Sequence, residues 1–452
     1  MRSKRFTLFA LLVISALLLV QCAPAPPAQE EAPETEEVQV EEEQEEVEEE
    51  EPMEEEEEEP MEDMTFTIGV LGPFTGPSAR TGEEFRTSAE MALEAIDYQI
   101  GDYTIEVVWI DSQSDPERAT RAYEEAVVQD GVEAGVLNWH SSVSVAVMEV
   151  TAKHQVPHFF GFGATEVVNE KFESDPETYG YWAAKGWPTP VKLSANYVST
   201  LEDAIADGVW TPEAKTAAIY GEDTDWGRSF GDGIAGQLEE AGWEIIDRQY
   251  VPLEQTEFYS VLNRFKASNP ALIAGTSTAP PQISAFIKQA DEVGLESLII
   301  ADGLGWVGEW YELTGDSSNY VLDQIPGWAT EASQQFAVDF EERSGLQPSP
   351  SSGGLSYDGT NFFIKVLQTT FEDQGELSSE AVYQTVQDKV WTGELTFTAE
   401  DGAIVMQEYN FSEPPDPLIG GEYYTFPVLQ YMDGEATYIW PESIAESDLM
   451  LP

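Results

Sequence analysis

Two small hydroxyl residues stand directly after apolar runs that predict strands. Ser141 follows the run 134–139, and its hydroxyl and the free backbone N–H groups of a helix start suit a ligand carboxylate. A simple N-cap serine is the other interpretation of this position, and both stay open. Thr165 follows the run 156–162 and Gly163, whose missing side chain lets a backbone approach a ligand closely. Both positions are therefore candidates for ligand contacts at the ends of predicted strands.

The sequence contains little that is typical of a catalytic or cofactor-binding site. No Walker-type phosphate loop and no HExxH motif occurs. His154 and His158 are four residues apart, but Pro157 breaks any helical face they would share, so we expect no metal site. Residues 303–308 fit G-x-G-x-x-G, yet Gly315 to Ser318 would end the required helix, so we expect a loop after a strand. No nucleophile, base and orienting group assemble, and we expect neither an enzyme nor a cofactor.

The elements that must position these residues alternate between strand and helix. A first series predicts strands at 65–71, 103–110, 134–139 and 156–162, with helices at 82–100, 115–129 and 142–155. A second series starts near residue 185, with strands at 216–220, 243–251, 271–275 and 298–301 and helices at 191–205, 226–241, 259–267 and 281–293. Further helices are predicted around 331–343, 357–371 and 379–390. The alternation predicts an α/β fold with parallel sheets covered by helices on both faces.

The first 64 residues predict a signal peptide followed by a tether. Residues 1–21 join three bases to an apolar run of 15 residues, which is too short for a comfortable membrane span and indicates a signal peptide. Cys22, the single cysteine, follows at once, and Leu19 to Cys22 resembles the bacterial lipobox, with Gln21 where a small residue is usual. We expect lipidation of Cys22, a plain signal or an uncleaved anchor being the alternatives. The Pro- and Glu-rich stretch 22–64 predicts a disordered tether, with a calcium-binding acidic tail as the alternative.

The charge is extreme, with a formal value of −66. Residues 30–63 hold 22 acids, and the chain beyond residue 64 still combines 17 bases with 64 acids, near −47. Such a surface repels nucleic acid and anionic lipid headgroups, which excludes DNA and RNA as partners. Self-repulsion of this size costs stability unless salt screens it. A saline habitat and an ordinary acidic exported protein are both consistent with this composition.

Several segments occur together in a specific order and spacing. They are Ile68 to Pro77, Ser141-Ser142, Gly163-Ala164-Thr165, Tyr220-Gly221 with Asp225-Trp226-Gly227, and Thr392 to Phe397. In this order they resemble the type I periplasmic solute-binding proteins of the leucine/isoleucine/valine-binding family, which serve ABC importers. The resemblance covers residues 66–440. It implies two doubly wound parallel-sheet lobes joined by a three-stranded hinge, with the solute bound between the lobes.

The resemblance also implies roles for particular residues. In the family, the threonine at position 165 contacts both the carboxylate and the ammonium of an amino acid, and an acid matching Asp302 pairs with the ammonium. Trp226 matches an aromatic residue that covers the ligand, a surface or interface tryptophan being the other interpretation. The expected ligand-binding residues are Ser141, Ser142, Gly163, Ala164, Thr165, Trp226 and Asp302, all near strand ends, where open α/β sheets bind ligands.

Two departures from the family pattern concern the side-chain pocket. Thr81, beside Arg80, stands where an aromatic residue is common, and Thr278 and Ala279 replace a tyrosine pair. We therefore expect the charge-pairing contacts to be kept while the side-chain pocket differs. Arg80 could meet an acidic group on the ligand.

The resemblance divides the chain into a signal peptide (1–21), a tether (22–64), a first lobe (65–184 and 328–410) and a second lobe (185–327 and 411–445). It implies an exported, lipid-anchored protein of the cell envelope that captures an amino acid or a similar small polar solute and presents it to an ABC permease. A ligand-sensing receptor ectodomain and a binder of amides or urea are the alternatives.

Overall fold

The first lobe is built on a five-stranded sheet. A computed structural model describes residues 64–452, so the predicted signal peptide, Cys22 and the tether up to residue 63 lie outside the described residues. In chain order the elements are β1 (Met64–Gly72), α1 (Ala79–Glu94), β2 (Gln99–Ile100), β3 (Tyr103–Asp111), α2 (Pro116–Val128), β4 (Ala134–Val136), α3 (Ser141–His154), β5 (His158–Phe159), α4 (Glu166–Ser174) and α5 (Pro176–Tyr179). The sheet order is β2-β3-β1-β4-β5, parallel except for β2.

Strand β1 lies in the middle of this sheet and is buried on both faces. Phe66, Ile68 and Val70 belong to one hydrophobic cluster, and Leu71 belongs to a second cluster with residues of α2 and α3. Burial on both faces explains why β1 is a continuous apolar run rather than an alternating one.

A second, larger sheet takes up the middle of the chain. Its region contains α6 (Pro190–Ala206), β6 (Thr216–Glu222), α7 (Asp225–Glu240), β7 (Glu244–Val251), α8 (Tyr259–Ser268), β8 (Leu272–Thr276), α9 (Pro280–Glu292), β9 (Leu298–Asp302), α10 (Trp310–Thr314) and β10 (Leu322–Gln324). Strands β7, β6, β8, β9 and β10 are neighbours in that order and all pair in parallel.

The last part of the chain contributes elements to both lobes. It forms α11 (Glu331–Ser344), α12 (Leu355–Gln374), α13 (Ser379–Thr385), β11 (Phe397–Thr398), β12 (Glu408–Tyr409), β13 (Val428–Met432) and β14 (Glu435–Trp440). Helix α12 packs on the first sheet, where the ring centroids of Phe159 and Phe362 lie 5.2 Å apart. Strands β13 and β14 instead extend the second sheet in antiparallel pairing beside β10. The chain thus passes between the lobes three times, and the predicted fold class is confirmed.

Some predicted boundaries were wrong for a backbone reason. The helix predicted over 82–100 ends at Glu94, because Asp97 and Tyr98 adopt positive φ angles of 51° and 55° that turn the chain into β2. The strand predicted over 156–162 forms a regular strand only at 158–159, because Phe160 has φ of 59°, and Gly161 beyond it makes an isolated bridge with Lys185. Among the described residues no helix has the length and apolar character that crossing a membrane requires.

Candidate ligand-binding cleft

A small cavity lies between the lobes, beyond the carboxyl ends of several strands. The first lobe contributes residues that follow β4 and β5, and the second contributes residues that follow β6, β8 and β9. The centre of a water molecule can occupy about 20 Å³ of this space, which is room for about one water. The cleft is therefore closed. Its walls are formed by Trp139, Phe162, Trp187, Trp226, Thr278 and Trp306.

Trp306 lies at the centre of the aromatic walls. Its ring centroid is 5.1 Å from that of Trp139, 5.7 Å from that of Trp187 and 5.9 Å from that of Trp226. The first two pairs are nearly perpendicular, at 88° and 84°. Asp323 fixes the turn that carries Trp306, because its carboxylate accepts hydrogen bonds from the backbone N–H groups of Gly303 (2.9 Å) and Gly305 (2.7 Å).

Two of the four indole N–H groups in the walls have hydrogen-bond partners. Trp139 Nε1 donates to the carbonyl oxygen of Thr278 at 3.0 Å, which joins the two lobes, and Trp226 Nε1 donates to Thr276 Oγ1 at 2.9 Å. The indole nitrogens of Trp187 and Trp306 have no partner within the described part of the chain. Their residues are only 3% and 4% exposed, so two buried donors remain available.

Two of the three predicted ligand-binding hydroxyls, those of Ser142 and Thr165, lie where the lobes touch directly. His140 rather than Ser141 is the N-cap of α3, and Ser141 Oγ accepts a hydrogen bond from the backbone N–H of Thr165 at 3.2 Å. Ser142 Oγ accepts one from the backbone N–H of Asp225, across the cleft, at 3.1 Å. Thr165 Oγ1 lies 2.8 Å from Ser229 Oγ of the second lobe. These three hydroxyls therefore cluster at one edge of the closed cleft.

Backbone groups of the loop after β5 are also engaged. The carbonyl oxygen of Gly163 accepts from Ser144 Oγ at 3.2 Å, and that of Ala164 accepts from the buried Lys185 Nζ at 3.4 Å. A Cβ atom at Gly163 would lie 2.2 Å from Ser144 Oγ and 2.6 Å from the carbonyl oxygen of His140, so this position requires glycine.

Asp302 lies behind the cavity wall rather than in it. Its carboxyl group is fully buried and accepts hydrogen bonds from Tyr197 Oη at 2.9 Å and Thr276 Oγ1 at 3.3 Å. Burial raises the pKa of Asp302 well above its usual range, and the nearby Asp323 raises it further. Thr276 links it to the indole of Trp226, the one predicted site residue that lines the cavity.

Further polar contacts close the cleft on the side of α1. Ser78 Oγ donates to the carbonyl oxygen of Thr278 at 2.8 Å, across the lobes. The Arg80 guanidinium donates from Nη2 to both carboxylate oxygens of Glu309, at 2.6 and 2.7 Å, and its Nη1 lies 3.0 Å from Oε1 of the buried Glu84. Arg80 therefore joins two acids of the protein instead of facing the cavity, contrary to its suggested contact with an acidic ligand group.

Comparison with known proteins identifies the family that shares this architecture. The family model of periplasmic binding proteins matches residues 65–413. The chain belongs to the periplasmic binding protein family. A Leu/Ile/Val-binding protein homolog 7 of Brucella abortus is 26% identical over 404 residues, covering 85% of this chain and 94% of that protein. Other curated Leu/Ile/Val-binding homologues match over 231 residues, so the chain spans about 55% of their length.

Solved structures of this family share the fold. LivJ of Streptococcus pneumoniae, solved in complex with isoleucine, has a TM-score of 0.62 and 16% identity, covering 86% of this chain and all of that chain. A solute-binding protein from R. palustris, solved in complex with 4-hydroxybenzoate, has a TM-score of 0.65 and 19% identity, covering 83% and 95%. The predicted resemblance is confirmed at the level of the family, and the solved structures share its fold.

Motifs that would suggest other chemistry have structural roles in this protein. Gly303 begins a short 3₁₀ turn, as expected for a loop after a strand. Residues 227–231 fit G-x-S-x-G, but Ser229 lies inside α7 and its hydroxyl donates to Glu166, without a histidine base. His158 lies in β5 while His154 ends α3. Within the described residues no cluster of three or more His, Cys, Asp or Glu could hold a metal.

Five of the six cavity residues were absent from the predicted site: Trp139, Phe162, Trp187, Thr278 and Trp306. Trp139 and Phe162 were interpreted as the last residues of buried strands. The ladders end earlier, because Leu137 and Phe160 have φ angles of 64° and 59°. Trp139 and Phe162 could have been found from the sequence, because each is an aromatic residue at the carboxyl end of a strand. Ser141 and Thr165 were predicted from the same kind of position.

Proposed function

We propose that the protein is an extracytoplasmic binding lipoprotein that captures a small polar solute in its cleft and presents the closed form to an ABC permease. The observation that carries this proposal is the composition of the cavity, whose walls come from both lobes. A ligand favours closure only through contacts that the open form lacks. A solute touching Trp139 of the first lobe and Trp226 of the second meets this condition.

The direct contacts between the lobes make closure reversible rather than permanent. Thr165 with Ser229, Ser142 with Asp225 and Arg80 with Glu309 are polar contacts, several of them partly exposed to solvent. Hydrogen bonds of this kind exchange for bonds to water at a net cost of about 1 kcal/mol each. A ligand's contacts can therefore decide the balance between open and closed forms.

The solute that we propose is amino-acid-like, with a carboxylate and a positively charged nitrogen. The family relatives named for Leu, Ile and Val and the neighbour bound to isoleucine support this class. The 4-hydroxybenzoate bound by another neighbour is an aromatic alternative that a direct comparison must include. The tryptophan walls are compatible with stacking on such a ring.

A lipid on Cys22 and the acidic stretch 22–64 would hold the binding lobes near the membrane. The position of the single cysteine after the apolar run supports this part of the proposal. Metabolic labelling with a palmitate analogue in a bacterial host tests it. We expect incorporation in the full chain and none in Cys22→Ser, whereas equal labelling of both would contradict lipidation.

Solution scattering with and without ligand tests capture itself. We expect a ligand identified by native mass spectrometry of the co-purifying species to reduce the radius of gyration and quench tryptophan fluorescence. Product formation from that ligand, instead of its unchanged recovery, would contradict a binding role.

A further inference from the structure

The cavity walls form an aromatic cage, which we define as Trp139, Phe162, Trp187, Trp226 and Trp306. Four of the five rings are indoles, and the Trp306 ring is nearly perpendicular to those of Trp139 and Trp187. Rings at such angles bound a small space on several sides. Indole faces carry the most negative potential of the natural aromatic side chains, and cages of this kind attract quaternary ammonium groups.

The cage offers little to an ordinary ammonium group. A primary ammonium has three N–H donors, and burying them without acceptors is costly. Thr278 supplies the one polar side chain among the lining residues. Asp302, the acid expected to pair with an amino acid's ammonium, lies behind Thr276 and is bonded to Tyr197. A fully methylated nitrogen has no donors and needs none of these acceptors.

The charges around the cage favour a cation over an anion. Within residues 64–452, no Lys, Arg or His side chain lines the cavity. Arg80 is held by Glu84 and Glu309, and burial lowers the pKa of His140 to about 3, which keeps it neutral. Glu222 stands directly behind Thr278 and accepts from its backbone N–H at 2.6 Å and from its hydroxyl at 2.7 Å.

The two free indole N–H groups add a requirement for an acceptor. Trp187 and Trp306 are almost fully buried, and their nitrogens have no partner in the described part of the chain. Leaving two buried donors unmatched is unfavourable. A carboxylate oxygen on the ligand would satisfy them.

We infer that the aromatic cage binds a zwitterion carrying a quaternary ammonium group and a carboxylate, that is, an N-trimethylated amino acid. The inference rests on the proposed function and narrows its solute class. The rings surround the methylated nitrogen, and the indole N–H groups of Trp187 and Trp306 donate to the carboxylate. The closed space of about 20 Å³ is smaller than such a solute, so binding requires the lobes to part slightly.

The sharpest test changes the charge of the ligand and leaves its shape. Trimethylglycine and 3,3-dimethylbutanoate have the same outline, but a nitrogen cation in the first is a neutral carbon in the second. Calorimetry on the purified full chain should give at least about tenfold tighter binding of trimethylglycine. Equal or tighter binding of 3,3-dimethylbutanoate would overturn the inference.

Two further ligands, isoleucine and 4-hydroxybenzoate, distinguish the aromatic-cage assignment from the broader proposal of solute capture. Binding and closure with either of them, without trimethylglycine, would overturn the cage assignment and leave solute capture standing. If none of the four probes binds, the cage assignment fails, and solute capture is then judged by whether the co-purifying species closes the cleft.

Cage variants give a second readout. Trp306→Phe should weaken trimethylglycine binding several-fold, since it keeps a ring but loses the stronger indole face and the N–H donor. Trp306→Leu should weaken it by about 30-fold or more. The matched control is Trp109→Leu, a half-buried tryptophan of β3 that packs on Phe74, with centroids 5.6 Å apart, outside the cage. Equal losses in the control and the cage variants would contradict the assignment.

Discussion

Thr165 Oγ1 lies 2.8 Å from Ser229 Oγ, so a first-lobe residue expected to hold the ligand is hydrogen-bonded to the second lobe. The same hydroxyl also accepts from the backbone N–H of Val167 at 3.4 Å and caps α4. The contact belongs to the closed form, because its two oxygens come from different lobes. Closure and ligand binding therefore share this residue.

Breaking this contact should weaken ligand affinity through closure. Thr165→Val and Ser229→Ala each remove one hydroxyl, and we expect each to cost about 1 kcal/mol, or about fivefold in affinity. In a double-mutant cycle the two losses should not add, because either change removes the same bond. Calorimetry with the protein's ligand measures all four affinities.

A control for this cycle is Thr200→Val in α6, whose hydroxyl bonds to the carbonyl oxygen of Asn196 within the same helix. It should leave affinity unchanged. Strictly additive losses in the Thr165 and Ser229 variants would indicate that Thr165 acts on the ligand alone.

The Arg80 and Glu309 pair should favour the closed form. The guanidinium makes two short contacts to the carboxylate, and both side chains are largely buried, at 20% and 18% exposure. Glu309→Gln should therefore weaken ligand affinity by about tenfold and increase the radius of gyration of the ligand-free protein. Calorimetry and solution scattering measure the two effects. Glu312→Gln, an exposed acid in the same region, should change neither, and equal behaviour of the two variants would refute the assignment.

Glu84 should make the protein less stable as pH rises. Burial raises the pKa of Glu84 to about 8 from an ordinary value of 4.5, despite Arg80 nearby. The folded form therefore binds more protons than the unfolded form between these values, so the free energy of unfolding falls as pH increases from about 4.5 to about 8. Its contribution is of the order of a few kcal/mol.

Melting curves from pH 5 to pH 9 measure this effect. Glu84→Gln should lose part of the decline and be more stable than the native chain at pH 8 to 9. The neighbouring Glu83→Gln, at an exposed position, serves as the control. A native chain whose stability increases over this range, with Glu84→Gln unchanged from it, would contradict the assignment.

Sequence patterns predicted the fold better than the cavity. The β-α-β alternation and the ordered family segments placed both lobes, because burial on both faces leaves continuous apolar runs such as that of β1. Strand β10 was missed because its three residues, Leu322 to Gln324, carry an aspartate and a glutamine that are buried by hydrogen bonding rather than by apolar character.

The ligand-binding site was harder to predict than the fold, because the position of a side chain in the sequence does not determine which groups it contacts. Asp302 does stand at a strand end, as expected, yet Tyr197, from a helix about 100 residues earlier in the chain, binds its carboxyl group behind the wall. Trp187 and Trp306 meet at a centroid distance of 5.7 Å although 119 residues separate them in the chain. Contacts of this range depend on tertiary packing.

The excess of acids should make stability depend on salt. The chain beyond residue 64 has a formal charge near −47, and mutual repulsion on this scale opposes the compact state. The screening length is about 10 Å at 0.1 M salt and about 3 Å at 1 M. We expect the melting temperature to rise by several degrees between 0.05 and 1 M NaCl, with KCl giving the same rise. A melting temperature that stays constant or falls with both salts would contradict adaptation to a saline habitat and favour an ordinary acidic exported protein.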